Sequence, residues 1–108
     1  IYQLSTEGRA FFLNGEIKDL DIKFNGKESQ YIDKQVVKYD QNNLTGCLSF
    51  IKNNFEKTTL NAVHSNCEDG INLIDTSGLL NSINVEYSVL DGVDLDFSDL
   101  FIRNIKIK

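Results

Sequence analysis

The chain has 108 residues, a formal net charge of −5, 41% hydrophobic residues and 25% charged residues. That length holds one domain, and the apolar fraction excludes wholesale disorder. No run approaches the ~18 apolar residues of a membrane span, and an acidic chain argues against nucleic acid as a partner.

The first residues are Ile1-Tyr2-Gln3-Leu4, with no initiator Met, so the sequence reads as a fragment of a longer protein. The first strand signal is Leu20-Asp21-Ile22-Lys23-Phe24, where apolar and polar residues alternate as in a half-buried strand. A polar insertion over 26–43 follows, with a small hairpin expected around Val36-Val37. Leu48-Ser49-Phe50-Ile51 and Leu60-Asn61-Ala62-Val63 come next. Both recur at one common step, as Ile71-Asn72-Leu73-Ile74 and Ile83-Asn84-Val85-Glu86. Asp91-Gly92-Val93-Asp94-Leu95 repeats Asp69-Gly70-Ile71-Asn72-Leu73 at a step one residue shorter. Ile105 and Ile107 repeat Ile83 and Val85 at that same shorter step.

Fixed periods of this length mean that successive turns of chain bury a shared apolar column. Four columns are expected. They are Leu20/Leu60/Ile83/Ile105, Ile22/Ala62/Val85/Ile107, Leu48/Ile71/Val93 and Phe50/Leu73/Leu95. The fold expected is an all-β parallel solenoid of about 22–23 residues per coil, within the range of repeat periods that stack in this way. Its coils fall near 8–25, 44–65, 66–88 and 89–108.

The runs 66–74 and 88–98 resemble coils of right-handed parallel β-helix proteins, the pectate-lyase-like solenoids of secreted and cell-surface bacterial proteins. The resemblance implies a secreted or surface scaffold, or a carbohydrate-interaction module acting on polysaccharide. It also admits part of a polysaccharide lyase or glycoside hydrolase. An intracellular protein-binding solenoid is the third reading. The hydrolases of that family carry Gly-His-Gly and Arg-x-Lys motifs. His64 here has no flanking glycine, and Arg103-Asn104-Ile105-Lys106 has the wrong spacing. Catalysis is therefore not expected of this segment.

Charge is unevenly placed. Residues 1–57 balance eight acids against eight bases, whereas 58–102 hold eight acids and no Lys or Arg. Asp69, Asp91, Asp94, Asp96 and Asp99 are the candidate site. Asp94 and Asp96 alternate with inward Val93, Leu95 and Phe97, which sets both on one outward face. Stacked carboxylates repel unless protonated, screened or bridged by a cation, so calcium is the one cofactor considered. The polar columns Ser49–Asn72–Asp94 and Asn61–Asn84 are expected to form ladders between coils. His64 is expected to lie against the core, aligned with Tyr87 and Phe24. Cys47 and Cys67 are read as two small apolar residues, with a disulfide possible but not expected. Open coil ends invite self-association.

Overall fold

The computed structural model describes residues 9–26, 46–65, 67, 69–88 and 91–108. The expected hairpin around Val36-Val37, and with it nearly all of the 26–43 insertion, lies outside them. The described residues form one seven-stranded, strongly curled parallel sheet with no helix. Its strands are β1 (Ala10–Lys18), β2 (Asp21–Asn25), β3 (Gly46–Val63), β4 (Asp69–Ile74), β5 (Ser77–Glu86), β6 (Asp91–Asp96) and β7 (Asp99–Ile107).

The strands stack in four layers. β1 and β2 both pair with the long β3, the first with its front half and the second with its back half. β4 and β5 pair with the same two halves on the other side. β6 then pairs with β4, and β7 with β5.

The register follows the repeat. Leu48 pairs with Ile71 and Ile71 with Val93; Phe50 pairs with Leu73 and Leu73 with Leu95. Leu60, Ile83 and Ile105 form one further column, and Ala62, Val85 and Ile107 another. The middle layers bury these residues completely: Phe50, Leu60, Ile71, Leu73, Ile83 and Val85 are 0% exposed. Burying such a side chain stabilises the fold by roughly 1.5–3 kcal/mol. Phe12 stacks on Phe50 at 4.8 Å, which carries the column into the first layer.

The first layer corrects one expectation. Ile22 pairs with Leu60 and Phe24 with Ala62, so Ile22 takes the place expected of Leu20, and Leu20 is left half exposed. A slip of two residues keeps every side chain on its own face, so alternation alone cannot separate the two registers.

Residues with positive φ mark the bends. Among the described residues, Asn14, Lys52, Asp75 and Phe97 occupy one stacked corner column, with φ between 51° and 57°. Asp19 and Lys57 share a second corner, and His64 and Tyr87 a third. Left-handed backbone costs a non-glycine residue about 1–2 kcal/mol. The ladder continues through the bends and holds them there. The Asp75 N–H donates to the Asp96 carbonyl at 2.9 Å, and the His64 N–H to the Glu86 carbonyl at 2.9 Å. Beside the first corner, the Thr76 and Ser98 hydroxyls hydrogen-bond at 2.9 Å, and the Ser98 hydroxyl also donates to the Leu73 carbonyl.

Cys47 and Cys67 form a disulfide that ties β3 to the segment entering β4, with Cα atoms 5.4 Å apart. This overturns the reading of two packed thiols. The separation of the two cysteines in sequence is nearly one period, so stacking brings them to neighbouring layers. A spacing near the repeat length is therefore a pairing signal where layers of a parallel sheet repeat.

Candidate functional site

The acidic columns come first. Asp69 begins β4 and pairs in register with Asp91, which begins β6. Asp94 stands over Asn72, and Asp96 over Ile74. Asp69 is only 4% exposed, whereas Asp91 and Asp96 are exposed. Partial burial, a side-chain hydrogen bond with Asp96, and the charges of Asp69, Asp96 and Asp91 together raise the Asp94 pKa above the usual carboxylate value. Four of the five candidate acids thus act on one another. Asp99 lies past the Phe97 corner, paired with Ser77 on the next wall.

Among the described residues, no group of three or more His, Cys, Asp or Glu side chains is placed to hold a metal ion. Ser49 and Asn72 are both buried, so the outward face of β3 and β4 below Asp94 is not an open surface. The expected Ser49–Asn72–Asp94 column is in register, although the Ser49 hydroxyl donates back to the Gly46 carbonyl at 3.3 Å.

A second arrangement lies on the opposite wall, where β2, the back half of β3, β5 and β7 present their polar face. Asn61 and Asn84 occupy equivalent positions in adjacent layers. Asn84 Nδ2 donates to Asn61 Oδ1 at 2.9 Å, and Asn61 Nδ2 donates to Asp21 Oδ1 at 2.7 Å. Lys106 continues the column above Asn84. Asn61, Asn84, Glu86, Lys106 and Lys108 line a groove of about 330 Å³. Glu86 and Lys108 form an exposed ion pair at 3.8 Å across its upper end.

An aromatic platform stands at the corner where these strands end. The His64 and Tyr87 rings stack at 4.9 Å with planes 12° apart. His64 is therefore at a bend, half buried, and not against the core as expected; Phe24 instead lies inward, paired with Ala62. Tyr87 is 62% exposed, and its N–H donates to the Lys108 carbonyl at 3.1 Å, which fixes the platform at the end of the groove.

Comparison with family models, with curated proteins and with solved structures returned no match. The chemistry of the site therefore rests on its own geometry.

The groove contains the Asn61–Asn84 ladder read from the sequence and adds Glu86, Lys106 and Lys108, which that reading missed. Their signal is present in the alternation. Asn61, Asn84 and Lys106 share one outward position across the repeat, and Glu86 and Lys108 share the next but one.

Proposed function

We propose that the chain is a segment of a right-handed parallel β-helix, and that it serves a secreted or cell-surface protein as a non-catalytic scaffold binding glycan. The groove beside the Tyr87 platform is the observation that carries the glycan part. Amides offer donors and acceptors in pairs, as hydroxyl groups require, and an exposed ring offers an apolar face to a sugar ring. Asn84, Glu86 and Tyr87 supply these on a rigid wall. The near-constant step between stacked layers supports the helix reading. The Cys47–Cys67 disulfide supports an oxidising compartment, because such bonds persist chiefly outside the cytosol.

Titration with a panel of neutral and uronate hexasaccharides, followed by tyrosine fluorescence and calorimetry, tests the reading. Binding that Tyr87→Ala and Asn84→Ala each weaken about tenfold, with a cooperative melting transition above the assay temperature retained in both, is the expected result. Saturable binding that neither substitution changes would remove the groove from the proposal. Release of reducing ends or unsaturated products would replace the non-catalytic reading with an enzymatic one.

A further inference from the structure

The groove has a direction. Asn61, Asn84 and Lys106 stand in successive layers of one outward column, and Glu86 with Lys108 forms the column beside it. Residues two apart on a strand are separated by roughly 7 Å, and strands of neighbouring layers by ~4.8 Å. The trough between the two columns therefore crosses the strands and follows the stacking axis. Its wall advances one side chain per layer.

The amide row also has a polarity. A carboxylate can only accept, so Asp21 draws Asn61 Nδ2 toward it at 2.7 Å, and the Ile22 carbonyl takes the second hydrogen at 3.3 Å. Asn61 Oδ1 is thereby turned to Asn84, whose Nδ2 donates to it at 2.9 Å and to the Ser82 hydroxyl at 3.3 Å. Every side-chain N–H of the two amides is then spent inside the row. Asn84 Oδ1 accepts no hydrogen bond among the described residues, and Asn84 lines the groove together with Glu86. The row thus offers oxygen atoms, which call for donors on the ligand. Sugar hydroxyls are such donors. Lys106, next in the column, supplies a donor for a ring or hydroxyl oxygen.

Pitch selects the ligand further. An extended peptide laid along this axis advances about 3.3 Å per residue and falls out of step with the layers. In a β-1,4-linked pyranose chain each sugar advances by close to one layer spacing, and the chain is a flat ribbon. An α-1,4-linked chain of the same sugars coils. Sugars with equatorial substituents also turn flat C–H faces outward. Such faces suit the exposed Tyr87 ring, stacked on His64 at the end of the groove.

We propose that the groove takes a β-1,4-linked glycan lying along the stacking axis, one sugar per layer. This rests on the reading of the groove as a glycan site and adds the linkage and the direction. Successive sugars meet Asn61, Asn84 and Lys106 in turn, and their hydroxyls donate to Asn84 Oδ1 and to the Glu86 carboxylate.

Calorimetry with glucose tetrasaccharides joined β-1,4, β-1,3 or α-1,4 tests the linkage, because the three share one composition. β-1,4-linked mannose and xylose tetrasaccharides accompany them. The best β-1,4-linked tetrasaccharide should bind at least about tenfold more tightly than the β-1,3 and α-1,4 isomers. Equal or tighter binding of either isomer would overturn the proposal. So would binding confined to uronate hexasaccharides, which would leave the glycan reading standing. No binding of any of these saccharides would remove the glycan reading itself, and this proposal with it.

Direction is read separately. A nitroxide at the reducing end of the tightest tetrasaccharide broadens nearby backbone amides in NMR spectra. Broadening should be graded across the layers, falling from Asn61 to Lys106 or from Lys106 to Asn61. Broadening that is even across those layers and graded along β5, from Ser82 to Glu86, would overturn the proposal.

Discussion

Asn84 donates a side-chain hydrogen bond to the side-chain amide oxygen of Asn61 in the layer below, at 2.9 Å, and Asn61 in turn donates to the Asp21 carboxylate at 2.7 Å. The three side chains form one directed row across the stack. Rows of this kind polarise one another, so their members are not independent.

Asn84→Ala removes one bond of the row, and Asn61→Ala removes two. Each substitution should cost about 1 kcal/mol, with Asn61→Ala the larger. The double variant should cost less than the two single changes combined, because they share a bond. Urea denaturation of the four proteins measures the coupling. Strict additivity would show that the row contributes no cooperative stability.

Asp94 yields a pH prediction with a definite sign. Its folded pKa lies above its ordinary value because of burial, the hydrogen bond with Asp96 and the neighbouring Asp69, Asp96 and Asp91 charges. The folded state then holds the proton more tightly than the unfolded state, so this group favours folding more as pH falls through that raised pKa. Asp94→Asn removes the charge and keeps the shape. The variant should melt higher than wild type at neutral pH, by a few degrees. The advantage should shrink through the raised pKa and vanish below the unfolded value of about 3.9. Melting curves from neutral pH down to acid check this, and an advantage that persists in acid would contradict it.

The disulfide spans a sequence separation of 20, and closing a loop of that size corresponds to roughly 3 kcal/mol of stability in the chain-entropy model. The Cys47→Ala, Cys67→Ala double variant should lose about that much in a denaturant titration. Wild type under strong reductant should shift in the same direction. Equal midpoints with and without reductant would show that the crosslink adds nothing.

Gly78 adopts φ +105°, and a Cβ there would strike the Phe55 carbonyl oxygen. Both strain and collision fall on backbone, which no rotamer change relieves. Gly78→Ala should therefore destabilise by more than the roughly 1 kcal/mol of an ordinary left-handed glycine site. Gly15 at φ +148° has open space around its Cβ position, so Gly15→Ala should cost less. Thermal melts of the pair give the comparison, and equal losses would show that the Phe55 contact does not matter.

The parallel pairing was legible in the sequence wherever equivalent residues keep a near-constant step, as Leu48, Ile71 and Val93 do. Leu20 failed because a two-residue slip preserves the inward face, and only the backbone pairing of Ile22 with Leu60 resolves it. The acid cluster around Asp94 was legible from alternation, but the burial of Asp69 was not. Side-chain alternation places a residue on a face and says nothing about what covers that face. His64 was misplaced for a related reason: its positive φ turns it out of the strand pattern that the alignment extended through it.

The corners have a consequence for how this surface can change. Asn14, Lys52, Asp75 and Phe97 run from amide and carboxylate to cation and aromatic ring yet share one backbone shape, and at Asp75 a main-chain bond to the next layer holds it. Phe97 is 92% exposed, so its ring does no packing. The corner row is in effect a set of outward pegs at a pitch of about 4.8 Å, exchangeable among residues that tolerate left-handed backbone. A new recognition pattern can be written along that row, one peg per layer, while the core columns inside remain unaltered.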